Sequence, residues 1–260
     1  MGNNGKSEKG KGMGKDNKAV KESRIKYFIL KHPLLSAFII SFFVILAFFV
    51  FYSGYSKEKR ALDFSLISKI ISFQDPLFSS KEINKLTALA GLTLLSFAFL
   101  PGPISRIFPK LSFLLVLRKP IGLIGFLLIF IHYYISFHGY YYKGNLYNAL
   151  FNNPKVIAFI AASIAFFIFF LMAITSTKKA VEILTYERWK LLQRFCYIAL
   201  LLAVIHFVVI EIKPDKGLDI RPFGYVALII PILTIILRVY VHIKGLGKER
   251  KGYEEHFAPT

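Results

Sequence analysis

A chain of 260 residues that is 55% hydrophobic, carries 27 Phe and has a mean hydropathy of +0.53 holds more apolar surface than one soluble core of that length can hide, which excludes an ordinary water-soluble domain. Its net charge of +19 invites a nucleic-acid reading. The Lys and Arg, however, stand between apolar runs and in the N-terminal tail, where they set topology and meet anionic lipid headgroups, so no nucleic-acid partner is expected.

Residues 1–31 are rich in Gly, Lys, Asn and Ser without an apolar period, the composition of a solvated basic tail that cannot repay its ordering entropy. The tail opens Met1-Gly2-Asn3-Asn4-Gly5-Lys6. Lys6 stands where a myristoylation signal requires Ser or Thr, so no lipid anchor is expected. The first apolar run, residues 33–52, is too long for a signal-peptide core and lacks a small-residue cleavage site; it is expected to stay as a signal anchor. Next, Leu62, Phe64, Leu66, Ile67, Ile70 and Ile71 are dense enough for an interfacial amphipathic helix, or form an irregular loop.

Further apolar runs cover residues 86–100, 120–137, 156–174, 191–210 and 223–241, each matching or nearly matching a hydrocarbon core of about 30 Å. The run at 86–100 is the shortest and stops at the breaker Pro101-Gly102-Pro103. Cys196, the only cysteine, lies in the fifth run and can form no intrachain disulfide. The chain thus reads as an all-α integral membrane protein, with a six-helix bundle at residues 32–245 between tails at 1–31 and 246–260, and no internal repeat.

Orientation follows from the short loops. Arg106, Lys110, Arg118 and Lys119 lie between the second and third runs with no acid, which makes that loop cytoplasmic. Lys178, Lys179, Arg188 and Lys190 outweigh Glu182 and Glu187 between the fourth and fifth, whereas the loop after the fifth balances Lys213, Lys216 and Arg221 with Glu211, Asp215 and Asp219. Both termini are therefore expected in the cytoplasm of a multi-pass inner-membrane protein, with Tyr140, Tyr141 and Tyr142 at the outer interface.

Of the six histidines, His32 and His256 fall in solvated segments and His242 at the inner end of the last run. His132 and His206 lie deep inside apolar runs, where an ionisable side chain is expensive unless it faces the bundle. Counted at 1.5 Å per residue, His132 is about 18 Å beyond Pro120 and His206 about 21 Å beyond Leu192, on helices that run in the same direction. Two imidazoles at one depth on adjacent helices can take both axial positions of a heme iron. An unrelated pair of hydrogen-bonded polar residues would leave the same trace. His138, about 9 Å further out, reads as an interfacial residue or a contact to a heme propionate.

Several motifs then occur in order: Arg118-Lys119-Pro120-Ile121-Gly122-Leu123, Ile131-His132-Tyr133, Ile174-Thr175-Ser176-Thr177, Arg188-Trp189-Lys190-Leu191-Leu192-Gln193-Arg194-Phe195-Cys196-Tyr197 and Ile205-His206-Phe207. Over roughly residues 80–240 this resembles the ferric-reductase-like transmembrane domain, and within it the MsrQ (YedZ) branch, the heme-binding subunit of a methionine sulfoxide reductase system. The resemblance implies a membrane heme b protein. It would take electrons from a cytoplasmic flavin, flavin reductase or quinone and pass them to an extracytoplasmic oxidoreductase. His132 and His206 match the family histidines of the third and fifth helices. Gln193 departs from the family's Trp-x-x-Leu-His motif, and the region where two-heme relatives carry another histidine reads Leu117-Arg118-Lys119. One heme, in the outer half, is therefore expected.

Arg118, Lys119, Lys178, Lys179 and Arg194 would gather on the inner face, to hold a flavin phosphate such as that of FMN, to dock an acidic flavoprotein, or simply to satisfy the positive-inside rule. No Gly-rich nucleotide loop, Cys-x-x-Cys or nucleophile–base pair is visible, so the chain is expected to be an electron-transfer subunit with no catalytic domain of its own. Two alternatives compete: a membrane ferric reductase, and a heme-free transporter or assembly factor whose histidines serve a polar network. The latter would call for intramembrane carboxylates, and the third to fifth runs have none before Glu211.

Overall fold

An apolar run that must satisfy every backbone N–H and C=O without water has one local solution, the α-helix. The computed structural model, which describes residues 24–56, 61–62, 80–142, 155–213 and 217–245, is built from such helices. Among the described residues six stretches are long and apolar enough to cross a membrane: Pro33–Phe51, Ile83–Ile107, Pro109–His138, Val156–Ile174, Tyr186–Glu211 and Phe223–Ile243. The chain is a multi-pass helical membrane protein.

In chain order the elements are α1 (Pro33–Gly54), β1 (Tyr55–Ser56), β2 (Ala61–Leu62), α2 (Ser80–Phe99), α3 (Pro101–Ile107), a 3-10 stretch (Pro109–Leu117), α4 (Arg118–Tyr142), α5 (Val156–Ile174), α6 (Lys178–Leu184), α7 (Tyr186–Arg194), α8 (Cys196–Glu211), β3 (Ile212–Lys213), β4 (Gly217–Leu218) and α9 (Pro222–Ile243). Residues 24–31, placed by composition in the tail, are helical and lead into α1 through His32. Residues 1–23 and 246–260 lie outside the described residues. The same holds for the proposed interfacial segment beyond Leu62, which itself pairs with Tyr55 in the small β1–β2 hairpin.

The second span is longer than its apolar run, and the reason is local. Pro101 does not end it, because a proline at the first turn of a helix loses no intrahelical bond and has φ already set; α3 starts there and carries the span to Ile107. The fifth span is interrupted at Phe195, between α7 and α8. Pro231 sits inside α9.

α2 is the most buried of the six. One side of it, Leu92, Leu95 and Phe99, packs with Ala165, Phe169 and Met172 of α5 and Cys196, Ala199 and Leu200 of α8. Leu94 and Ala98 meet Ala37 of α1 and Ile121 of α4, and Leu89 and Ala90 meet Phe48 of α1 and Ala227 of α9. Small residues make the close approaches possible, as they do between helices in lipid. A Cβ on Gly125 would lie 2.9 Å from the Leu95 backbone nitrogen, and one on Gly91 would lie 3.1 Å from the Gly125 carbonyl oxygen. At this crossing α2 and α4 touch backbone to backbone.

Candidate functional site

The Gly91–Gly125 contact sets the register of the antiparallel α2–α4 pair. Two turns from it along each helix stand Asn84 and His132, and there the His132 Nδ1–H donates to the Asn84 carbonyl oxygen at 2.9 Å. The α5–α8 pair repeats the arrangement. Ala165 and Ala199 are packed in one buried cluster, and two turns on the His206 Nδ1–H donates to the Ala158 carbonyl oxygen, again at 2.9 Å. Each histidine lies 48 residues after its acceptor. The spacing reflects two helical hairpins of matched length, each tethering an imidazole of its second strand to the first turn or so of its first.

Where the hairpins meet, the two rings come together, with centroids 6.2 Å apart and planes inclined by 67°. Because a carbonyl can only accept, both Nδ1 atoms carry the proton and both Nε2 atoms keep their lone pairs. A second tie secures His132. The Asn84 side-chain amide donates to Ser136 Oγ at 2.9 Å, one turn beyond the histidine on α4. Beside the pair, Tyr133 of α4 stacks on Phe166 of α5 at 4.1 Å with planes 7° apart, and Phe126 and Phe130 also meet Phe166.

Beyond the pair, towards the end of the bundle that holds Asn84 and Glu211, Lys85 and Glu211 form an ion pair at 3.0 Å. They line a small cavity of about 240 Å3 floored by Leu89 and Phe207. Nearby the Lys155 Nζ donates to the Ile210 carbonyl at 2.6 Å, satisfying the C-terminal end of α8.

A larger cavity of about 650 Å3 opens at the opposite end. Arg118, Lys119 and Arg194 line it, as does Gln193, whereas Lys179 is exposed on α6. Trp189 lines it too, with its indole N–H donating to the Thr175 carbonyl at 3.0 Å. His242 is the one imidazole of that lining among the described residues. His138 is exposed and lies 5.9 Å from the Tyr134 ring, away from the histidine pair.

The structure therefore brings His132 and His206 together and leaves His138, His242 and Gln193 elsewhere. Three participants escape a reading of the sequence: the Asn84 and Ala158 carbonyls, because every residue has one, and Arg238, which lies inside the last span and lines the large cavity. An arginine within an apolar run is itself the signal that finds the last. Among the described residues no group of three or more His, Cys, Asp or Glu could hold a metal ion.

Residues 87–204 match the family model of the ferric reductase like transmembrane component. The matched stretch runs from the second span into the fifth, includes His132 and stops just short of His206. No curated protein matches the chain.

Proposed function

We propose, from the premise that residues 87–204 carry a ferric-reductase-like transmembrane component, that this protein moves electrons across the bilayer through one heme b held between His132 and His206. The observation that carries the reading is the imidazole pair, 6.2 Å apart with both Nδ1 atoms engaged on backbone carbonyls. Two imidazoles this close, each with Nδ1 already engaged, would be able to offer their Nε2 atoms to one shared metal ion. The donor set supports heme over a bare ion. A zinc site needs at least three protein ligands, whereas a heme brings most of its iron's nitrogens itself and would ask the protein only for His132 and His206.

When bound, heme supplies a one-electron iron couple within the apolar part of the membrane. The residues do the rest. Donation from Nδ1–H to Asn84 and Ala158 fixes the tautomer, aims each Nε2 and raises its basicity. The Asn84–Ser136 bond holds that carbonyl in register with α4, and the Tyr133–Phe166 stack keeps water from the flank.

In this reading the basic end faces the cytoplasm with both termini, in the inner membrane, and receives electrons from a flavin such as FMN, a flavin reductase or a quinone. The other end serves an extracytoplasmic oxidoreductase, as in a methionine sulfoxide reductase system of the MsrQ (YedZ) type. A single heme is favoured because Gln193 and one imidazole, His242, are what the large cavity offers among the described residues. The test is optical. Protein purified from heme-replete cells should show a low-spin Soret band that shifts on dithionite reduction, with one heme b per chain by pyridine hemochrome. A colourless protein refutes the heme; two hemes per chain refute the single-site reading.

A further inference from the structure

The large cavity has a chemical character that electron transfer at the histidine pair does not require. Arg106, Arg118, Lys119, Lys190, Arg194 and Arg238 line it, and among the described residues its lining holds no Asp or Glu. Positive-inside topology is satisfied by cations anywhere in a short loop; it does not ask that they converge. Here they do so from separate elements. Arg238 lies within the α9 span, more than a turn before Ile243, and Arg118 opens α4.

Each guanidinium sits over an aromatic ring, Arg118 at 5.5 Å from the Phe99 centroid and Arg238 at 5.3 Å from that of Tyr197, within cation–π range. A cation–π contact uses no N–H donor, so the donors of both guanidinium groups are not spent on the rings. Neither arginine is ion-paired to a carboxylate among the described residues. The hydroxyl-bearing Ser105 and Ser112 share the lining, and Leu123, Phe126 and Phe169 form an apolar wall beside them.

We propose that this cavity binds a phosphate-bearing anion, with Arg118 and Arg238 donating to its oxygens, Arg194 and Lys119 at the rim, and the apolar wall against the rest of the ligand. The planar fork of arginine matches a phosphate better than a point charge does. Two sources can supply the group, the headgroup of an anionic phospholipid or a soluble phosphate ester. The site stands whether or not heme occupies the histidine pair.

Trp189 is the only tryptophan of the chain and lines the cavity, so its emission reports occupancy directly. Full-length protein in neutral detergent, stripped of lipid, is titrated with micelles doped with phosphatidylglycerol, with phosphatidylcholine micelles, and with inorganic phosphate. A saturable change with phosphatidylglycerol alone assigns the lipid source, and one with inorganic phosphate the soluble source. Arg118→Gln and Arg238→Gln should each weaken binding about tenfold or more, the size of a lost charge-assisted hydrogen bond. Arg118→Lys and Arg238→Lys keep the charge and the fold and should fall between. Lys179→Gln, outside the lining, should leave the affinity unchanged. An absent response to both phosphate probes, an equal response to phosphatidylcholine, or affinities insensitive to the arginine variants overturns the site.

Discussion

At the level of single residues, the candidate site depends on two imidazoles whose Nδ1 atoms are each engaged on a carbonyl of their own hairpin, which leaves Nε2 as the nitrogen available for a ligand. If both Nε2 atoms bind iron, His132→Ala and His206→Ala should each abolish the low-spin spectrum, by loss of heme or by conversion to a high-spin form. His138→Ala should leave that spectrum intact, since its ring lies against Tyr134; absorption and electron paramagnetic resonance of the three purified variants decide the assignment. Asn84→Ala keeps the carbonyl that His132 uses but removes the amide bonded to Ser136. Loss of such an outer tie weakens metal retention by roughly tenfold or more, read as faster heme transfer to apomyoglobin, and Asn84→Gln should restore little because its longer arm misplaces the amide. The two histidines stand out in the sequence because a titratable group in an apolar run is conspicuous, although depth by itself does not separate a ligand pair from an unrelated polar pair. Their acceptors were not, because a backbone carbonyl leaves no mark on residue identity.

The elements show where a helical reading of hydropathy runs short. The spans at 33–51 and 156–174 nearly coincide with their apolar runs, since nothing but hydrophobicity shapes them. The second span does not: Pro101 reads as a stop but begins α3, and the two short hairpins β1–β2 and β3–β4 carry no alternating pattern long enough to announce a strand. The packing of α2 on α4 rests on glycines whose importance depends on a partner far away in sequence. A methyl on Gly125 would meet the Leu95 backbone nitrogen at 2.9 Å, which cannot swing aside, whereas one on Gly122 would touch the Ala98 methyl at an ordinary 3.5 Å. Gly125→Ala should therefore destabilise the protein by about 1–3 kcal/mol, while Gly122→Ala should stay within about 0.5 kcal/mol. Thermal unfolding in detergent measures both, and the Gly125 variant should also lose heme, because the displaced helix carries His132.

For the whole molecule, the cationic cavity and the histidine pair lie towards opposite ends of one bundle, so orientation decides which side of the membrane each end would serve in the proposed path. With the basic end inside, cysteines engineered at positions 145 and 217 in a Cys196→Ala background should react with an impermeant maleimide in intact cells, and one at position 10 only after lysis. The reverse pattern would turn the proposed path around. The doubling of the hairpin motif has a mechanical consequence as well. Each imidazole is anchored within its own hairpin, while what lies between α4 and α5 includes the faces of stacked rings, Tyr133 on Phe166 and Phe126 against Phe166 and Phe170. Each imidazole ring is thus tied by a hydrogen bond to its own hairpin, and apolar packing joins one hairpin to the other. A change in the separation of the two imidazoles is then a displacement of one hairpin against the other, which neither ring's bond to its carbonyl opposes.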